Sequence, residues 1–403
     1  MKVALLVNEF FTNELKRYNG FGGFGILARN YITEHLPNEQ LEIDTIIGDN
    51  DQPTEEISIL DNRKKVIFFP ARPTGFNPKS IANWVSEKIN RAGNHWLQQY
   101  VSKLDYDLYL TLELQGVAYQ ILNASENTQV ILWLQDPRPE SDWEELDSMS
   151  IKQTGYRPTQ KAKNLMRRLQ DEKRLTVVTQ GKYLADKGRQ FYDLDDDLDI
   201  EFLPNPIQID NSFCLDDTNK ENAVIFLGRL DSVKRPWLYY AIAKQLPQYT
   251  FYVCGQSHEQ DFETIKQENS DIPNLKFMGH VQGQEKIDLL KKSKVLVNTS
   301  IHEAIPVSFL EALSYGCLLV SCQNPDNLTS TFGQAIPQAW GDGQELVTPF
   351  AKGVSEIIED DQKRHQKALE AIEYVSRVHS IDAFKKNMQR ILKTPRNSDQ
   401  TDR

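Results

Sequence analysis

Long apolar runs are absent from this sequence. Stretches such as the one from Cys317 to Ser321 stop far short of the roughly 20 residues a helix needs to cross a bilayer. The opening run Val3-Ala4-Leu5-Leu6-Val7 is short, lacks a small-residue cleavage site and ends at Asn8-Glu9, so it reads as a buried first strand and not a signal peptide. Cysteine is scarce. Cys214, Cys254, Cys317 and Cys322 show no C-x-x-C spacing, which argues against a disulfide framework or a zinc site. No other cluster points to a metal: the acidic stretches Asp105-Tyr106-Asp107 and Asp193 to Asp199 read as solvated turns. Repeats at solenoid spacing and low-complexity segments are missing too. Positive charge is not in excess. A net charge of −11 excludes a nucleic-acid binder that works by bulk electrostatics. These absences fit a soluble, cytoplasmic protein.

What is present is an alternation of two patterns. The 403 residues are too many for one hydrophobic core and suit two domains. Near-continuous apolar runs, expected as buried parallel strands, fall at 2–7, 41–47, 66–69, 108–112, 130–134, 176–179 and 200–203. Helical patterns are expected over 24–35, 81–104, 117–122 and 159–172. At Leu203-Pro204-Asn205-Pro206 the alternation stops in a stiff turn. It restarts with strands at 223–227, 250–254, 275–278, 295–298 and 318–321 and helices at 236–245, 260–267, 284–292 and 307–315. Helices at 354–358, 361–378 and 382–392 close the chain. Two α/β doubly wound domains follow, at 1–205 and 206–380, with 381–403 as a C-terminal helix and frayed end.

Gly20, Gly22 and Gly25 formally match G-x-G-x-x-G, but Asn8 to Asn19 intervene after the strand. That loop is too long for the tight turn of a dinucleotide fold, so an NAD-dependent oxidoreductase is the weaker alternative. Glycines there can instead let backbone approach a phosphate. A basic stretch from Lys152 to Arg174 reads first as a solvated helix face and second as a peripheral membrane or anionic-acceptor contact.

The second half carries a more specific constellation. Gly228-Arg229-Leu230 and Lys234 follow a strand, at the carboxyl edge where doubly wound sheets bind ligands. An arginine and a lysine there suit a departing diphosphate, whose charge grows in the transition state. Gly279-His280-Val281-Gln282 follows the next strand but one, where a backbone edge could read a nucleobase. The run from Ser300 to Gly316 then offers a short helix. Pro306 suits its first turn and Gly316 its left-handed stop. Its amino end favours phosphate. Glu303 before the helix can accept from sugar hydroxyls, and Glu311 within it can hold a ribose diol. Each feature alone also fits a surface ion pair or a capped helix; their combination at three strand ends does not.

These motifs resemble the large family of retaining GT-B glycosyltransferases, group 1 or family 4-like: Gly-Arg-Leu with a lysine five residues after the arginine, and two glutamates separated by seven residues. Leu203-Pro204-Asn205-Pro206 is similar to that family's Pro-Asn-Gly linker. The resemblance is specific from Ala223 to Cys322 and rests on pattern alone before that. It implies two Rossmann-like domains facing across a cleft, with the tail helix crossing back to the first domain. It implies a sugar moved from a UDP-, GDP- or dTDP-linked donor to the hydroxyl of a saccharide or lipid-linked acceptor, with retention and without a metal or other cofactor. Polysaccharide, glycolipid or glycoconjugate synthesis would be the setting. Arg229 and Lys234 would bind the diphosphate, Glu303 the donor sugar and Glu311 the ribose. The main chain at Ile305, Pro306, Val307 and Ser308 would touch phosphate or sugar, Val281 would sit near the base, and Gly22 and Gly23 would close over the diphosphate. The sequence departs from the family at Gln135-Asp136, where many members have a histidine. Asp136 then orients the acceptor, or the donor phosphate takes its proton. The missing histidine also raises the alternative of a catalytically silent sugar-nucleotide-binding protein.

Overall fold

The computed structural model of the chain describes residues 1–8, 26–49, 56–61, 64–70, 97–147 and 157–393. Gly22, Gly23, Lys152 and most of the helix expected over 81–104 lie outside these residues. Two compact units emerge. One comprises Met1–Pro139, Arg157–Leu203 and Lys385–Arg403, the other Glu140–Tyr156 and Pro204–Phe384.

The first unit is built on strands β1 (Lys2–Val7), β2 (Glu42–Asp49), β3 (Glu56–Asp61), β4 (Lys64–Pro70), β5 (Leu108–Thr111), β6 (Gln129–Leu134), β7 (Leu175–Thr179) and β8 (Ile200–Phe202). Their order in the sheet is β3-β4-β2-β1-β5-β6-β7-β8. All neighbours are parallel except β3, which runs antiparallel on β4. The strands expected from apolar runs form, with ends moved by at most two residues. β3 was not expected: Glu56-Ile57-Ser58-Ile59-Leu60-Asp61 mixes charge into a short run, as an antiparallel edge allows. The segment expected as a helix over 24–35 is π-helical at Leu27–Ile32 and α-helical at Thr33–His35. Helices α1 (Gly116–Ala124), α2 (Glu140–Asp147), α3 (Gln160–Asp171) and α4 (Leu184–Tyr192) follow, α2 belonging to the other unit.

Much of the basic stretch is spent inside this unit. The Thr159 side chain caps α3 by accepting from Ala162 N at 3.2 Å. Buried Arg174 donates to the carbonyls of Ser125 and Thr128 and pairs with Glu172 at 2.6 Å. Lys163 pairs with Asp193 at 3.0 Å, and Arg168 donates to the Leu122 carbonyl at 3.0 Å. Lys161, Arg167 and Lys173 remain exposed.

The second unit contains β9 (Ala223–Leu227), β10 (Thr250–Cys254), β11 (Leu275–Gly279), β12 (Val295–Asn298), β13 (Leu318–Ser321) and β14 (Gly333–Ala335). All are parallel, in the order β11-β10-β9-β12-β13-β14. Helices α5 (Pro236–Gln245), α6 (Phe262–Glu268), α7 (Gly283–Lys292), α8 (Val307–Ser314), α9 (Val347–Glu359), α10 (Asp361–His379) and α11 (Ile381–Lys393) complete the order, α11 passing into the first unit at Lys385. The core interleaves Val224, Phe226, Phe251, Val295, Val297 and Val320 with Leu238, Tyr239 and Phe350 from α5 and α9. Lys220 is buried among main-chain oxygens. Its ammonium donates to the carbonyls of Ser293 and Tyr315, both at 2.7 Å, and of Leu290 at 3.2 Å, so one charge satisfies the carboxyl ends of α7 and α8.

His379 closes α10 against the stiff turn. Its Nδ1 donates to the Asn205 carbonyl at 2.8 Å, and its own carbonyl accepts from Ile207 N at 2.8 Å. Burial pulls the imidazole pKa from 6.5 to about 4, with the Asn205 hydrogen bond and Asp326 opposing only in part. Between those values the unfolded chain binds the proton and the folded chain does not, so stability falls as pH drops through this window, by roughly 3 kcal/mol at full extent. His379→Asn, which keeps the donor to Asn205, should remove that component. The check is the denaturant midpoint at pH 7 and pH 5 for both proteins: an equal drop in each would clear His379 of the effect.

Candidate functional site

Each sheet has a reversal of strand order between two neighbouring parallel strands, and ligands of open α/β sheets bind outside the carboxyl ends of strands at such a point. In the second unit the reversal lies between β9 and β12. The segment 228–236 leaves β9, and the segment 299–306 leaves β12. Lys234 from the first and Glu303 from the second meet across the reversal at 2.5 Å.

Glu303 is held from several sides. Its Oε1 accepts from Lys234 Nζ, from Ser300 Oγ at 2.6 Å and from Asn298 Nδ2 at 3.0 Å. Asn298 Oδ1 in turn accepts from Ser321 Oγ at 3.2 Å. Burial alone would raise the carboxyl pKa, but the Lys234 charge and these donors outweigh it and hold the group below its usual range. Glu303 is therefore an oriented carboxylate with only 10% of its side chain exposed.

Lys234 is positioned by its neighbour. Arg235 adopts a left-handed conformation, φ 45° and ψ 56°, immediately before Pro236 starts α5. Such backbone costs a non-glycine residue about 1–2 kcal/mol. The fully buried guanidinium offsets it by donating to the carbonyls of Thr299 at 2.8 Å and Ala339 at 2.9 Å and approaching Cys322 Sγ at 3.3 Å. Thr299 Oγ1 returns hydrogen bonds to the carbonyls of Lys234 at 2.6 Å and Arg235 at 3.0 Å. Sequence reasoning missed this role for Arg235, because an arginine before proline at a helix start reads as a surface cation.

Arg229 is not part of that network. It is 43% exposed and pairs with Asp231 at 2.9 Å, and Asp231 also accepts from His258 N at 2.8 Å. Helix α8 starts at Val307, as expected, and ends one residue earlier than expected, at Ser314. Pro306 is its N-cap in extended conformation, and no side chain caps the first-turn amides. Gly316 is left-handed at φ +71°, after the helix. Val281 and Ile305 are buried, whereas Val307 is 43% exposed. Glu311, on α8, pairs with Lys286 of α7 at 2.6 Å.

The first unit's reversal lies between β1 and β5. There Asn8 Nδ2 donates to Glu113 Oε1 at 2.8 Å, and Gln115 Nε2 donates to Glu113 Oε2. Glu113 is buried, and Thr111 Oγ1 donates to its carbonyl at 2.5 Å. Gly116, at φ +54°, starts α1 so close that a Cβ would lie 2.2 Å from Asn8 Oδ1. Asp136, after β6, accepts a forked contact from Arg138 at 2.7 and 3.0 Å. Gln135 is buried.

Residues 210–374 match the family model described as Glycosyl transferases group 1. Over 128 residues the chain is 30% identical to the GalNAc-alpha-(1->4)-GalNAc-alpha-(1->3)-diNAcBac-PP-undecaprenol alpha-1,4-N-acetyl-D-galactosaminyltransferase of Campylobacter jejuni. That match covers 30% of this chain and 35% of the relative, about a third of its length. Anabaena HepE in complex with UDP superposes with a TM-score of 0.65 at 15% identity, over 98% of this chain and all of that one. The sucrose-phosphate synthase from Thermosynechococcus elongatus gives 0.63 at 14% identity, over 97% and 98%. The chain therefore has the α/β GT-B glycosyltransferase fold. Within that fold, the match to the group 1 glycosyltransferase model is confined to residues 210–374, in the second unit.

Arg235→Lys keeps the charge but cannot reach Thr299, Ala339 and Cys322 together. It should lower unfolding stability by about 2–4 kcal/mol, the scale of a broken buried polar network. Equilibrium urea denaturation measures this, and an unshifted midpoint would mean the guanidinium does not anchor the loop.

Proposed function

We propose that this chain transfers a sugar from a nucleoside diphosphate donor to a hydroxyl acceptor, with retention of configuration. The observation that carries the reading is the Lys234–Glu303 pair at the sheet reversal, inside the segment that matches group 1 glycosyltransferases. Lys234 exchanges Glu303 for donor phosphate, and Arg229 leaves Asp231 to join it. The ammonium and guanidinium offset charge on the departing diphosphate. Glu303 takes a hydroxyl of the donor sugar and Glu311 the ribose. The open amides at the start of α8, between Pro306 and Ser308, take a phosphate oxygen, with Ile305 and Val281 contributing main chain.

The acceptor oxygen bonds to the anomeric carbon as the carbon–phosphate-oxygen bond breaks. The acceptor proton passes to the leaving phosphate oxygen. The Arg138 fork on Asp136 favours this route over proton uptake by Asp136, which serves to orient the acceptor. Glu113, at the other sheet reversal, is the stronger acceptor-binding carboxylate. HepE was solved with UDP, and the Campylobacter relative is named for a lipid-linked acceptor. Both support a nucleotide-linked sugar donor and a saccharide or lipid-linked acceptor; the reading extends this to a UDP-, GDP- or dTDP-linked hexose in polysaccharide, glycolipid or glycoconjugate synthesis. No described helix is long and apolar enough to cross a membrane. A cytoplasmic enzyme touching the membrane periphery would do so through Lys161, Arg167 and Lys173. The mechanism assigns no metal.

Thermal unfolding with UDP, GDP, dTDP and NAD tests the donor class. One nucleoside diphosphate at 100 times its Kd should stabilise the protein by about 2.7 kcal/mol, and NAD should not; stabilisation by NAD alone would sink the reading. In turnover assays, Arg229→Ala and Lys234→Ala should each lower kcat by about 10²-fold or more. Unchanged kcat in both would remove them from the mechanism.

A further inference from the structure

The Lys286–Glu311 pair is unexplained by stability. Both side chains are about a quarter exposed, and ion pairs with that much solvent contribute little. The geometry is more specific than the energy. Lys286 Nζ binds Glu311 Oε1 at 2.6 Å, and Oε2 takes no partner among the described residues. An ammonium has three N–H groups, so two remain after the pair forms. A carboxylate oxygen and an ammonium N–H thus stand side by side, an acceptor beside a donor. A hydroxyl group both donates and accepts, and it satisfies both at once. A C–H satisfies neither.

We propose that Lys286 is a positioning and specificity-determining residue that makes Glu311 select ribonucleoside over 2′-deoxyribonucleoside diphosphates. The lysine fixes the carboxylate rotamer through Oε1 and presents Oε2 to the ribose. The 2′-hydroxyl donates to Oε2 and accepts from Nζ. The inference rests on the assignment of Glu311 to the ribose and narrows the donor to UDP- or GDP-linked sugars, against dTDP-linked ones. A hydrogen bond to a charged group is worth about tenfold or more in affinity, and that is the selectivity expected.

Calorimetric titration of the full chain with UDP, dUDP, GDP and dGDP tests this. The native protein should bind one ribonucleotide about tenfold more tightly than its 2′-deoxy counterpart. In Lys286→Met that preference should fall below about threefold, and Lys286→Arg should restore most of it. Equal affinities for both sugars in the native protein would overturn the proposal. So would a weaker Lys286→Met with its preference intact, since the lysine would then add only charge. Glu311→Gln provides the same readout on a near-isosteric side chain if Lys286→Met does not fold, and an intact preference there is equally fatal. Failure of the native protein to bind any of the four would overturn the donor reading itself, and this inference with it.

Discussion

The second unit depends on one buried guanidinium. Arg235 must reach two carbonyls and a thiol from three different loops, and it does so from a backbone conformation that arginine disfavours. The strain is local and small; the contacts are buried and several. Once Arg235 is seated, Lys234 has little freedom. Thr299 holds its carbonyl, and the ammonium falls beside Glu303. A network that orders one anchor thereby orders both charges of the candidate site, without using the anchor in any chemistry.

The two sheets solve the same problem in related ways. Each places a glutamate beyond the strand that opens the second half of its sheet, and each bonds that glutamate to a residue beyond the unit's first strand. In one unit the partner is an amide, Asn8; in the other it is an ammonium, Lys234. The difference is chemical. In the first unit, neutral amides take both Glu113 oxygens, Asn8 on Oε1 and Gln115 on Oε2. An ammonium partner sets a full positive charge against Glu303.

Much of the fold was legible because buried parallel strands are near-continuous apolar runs. Val224–Leu227 and Val295–Val297 announce themselves by composition. β14 does not, since Gly333-Gln334-Ala335 is three residues with no apolar pattern, and β3 hides its edge position in mixed charge. In the candidate site, the fold brings together Lys234 and Glu303, which were picked out by spacing within single strand-loop-helix units, while Arg229 and Glu311 pair with Asp231 and Lys286. The partnerships themselves were not legible. Arg235 meets Ala339 across 104 positions and Asn8 meets Glu113 across 105. Only folding brings such pairs together, so no local spacing records them. Asp136 was the reverse case: its occupation by Arg138 is written in Asp136-Pro137-Arg138, two residues apart.

Lys220 has a consequence at a distance. A helix is a dipole, and each pole is felt against the other. The buried ammonium sits on the negative pole of α8, shared with that of α7. At 1.5 Å per residue, the amino end of this eight-residue helix lies about 12 Å away. With the far pole neutralised by a charge water cannot screen, the near pole acts more like an isolated positive charge. In a protein carrying a net charge of −11, the amino end of α8 thus keeps more of its positive character, through one buried lysine at the helix's other end.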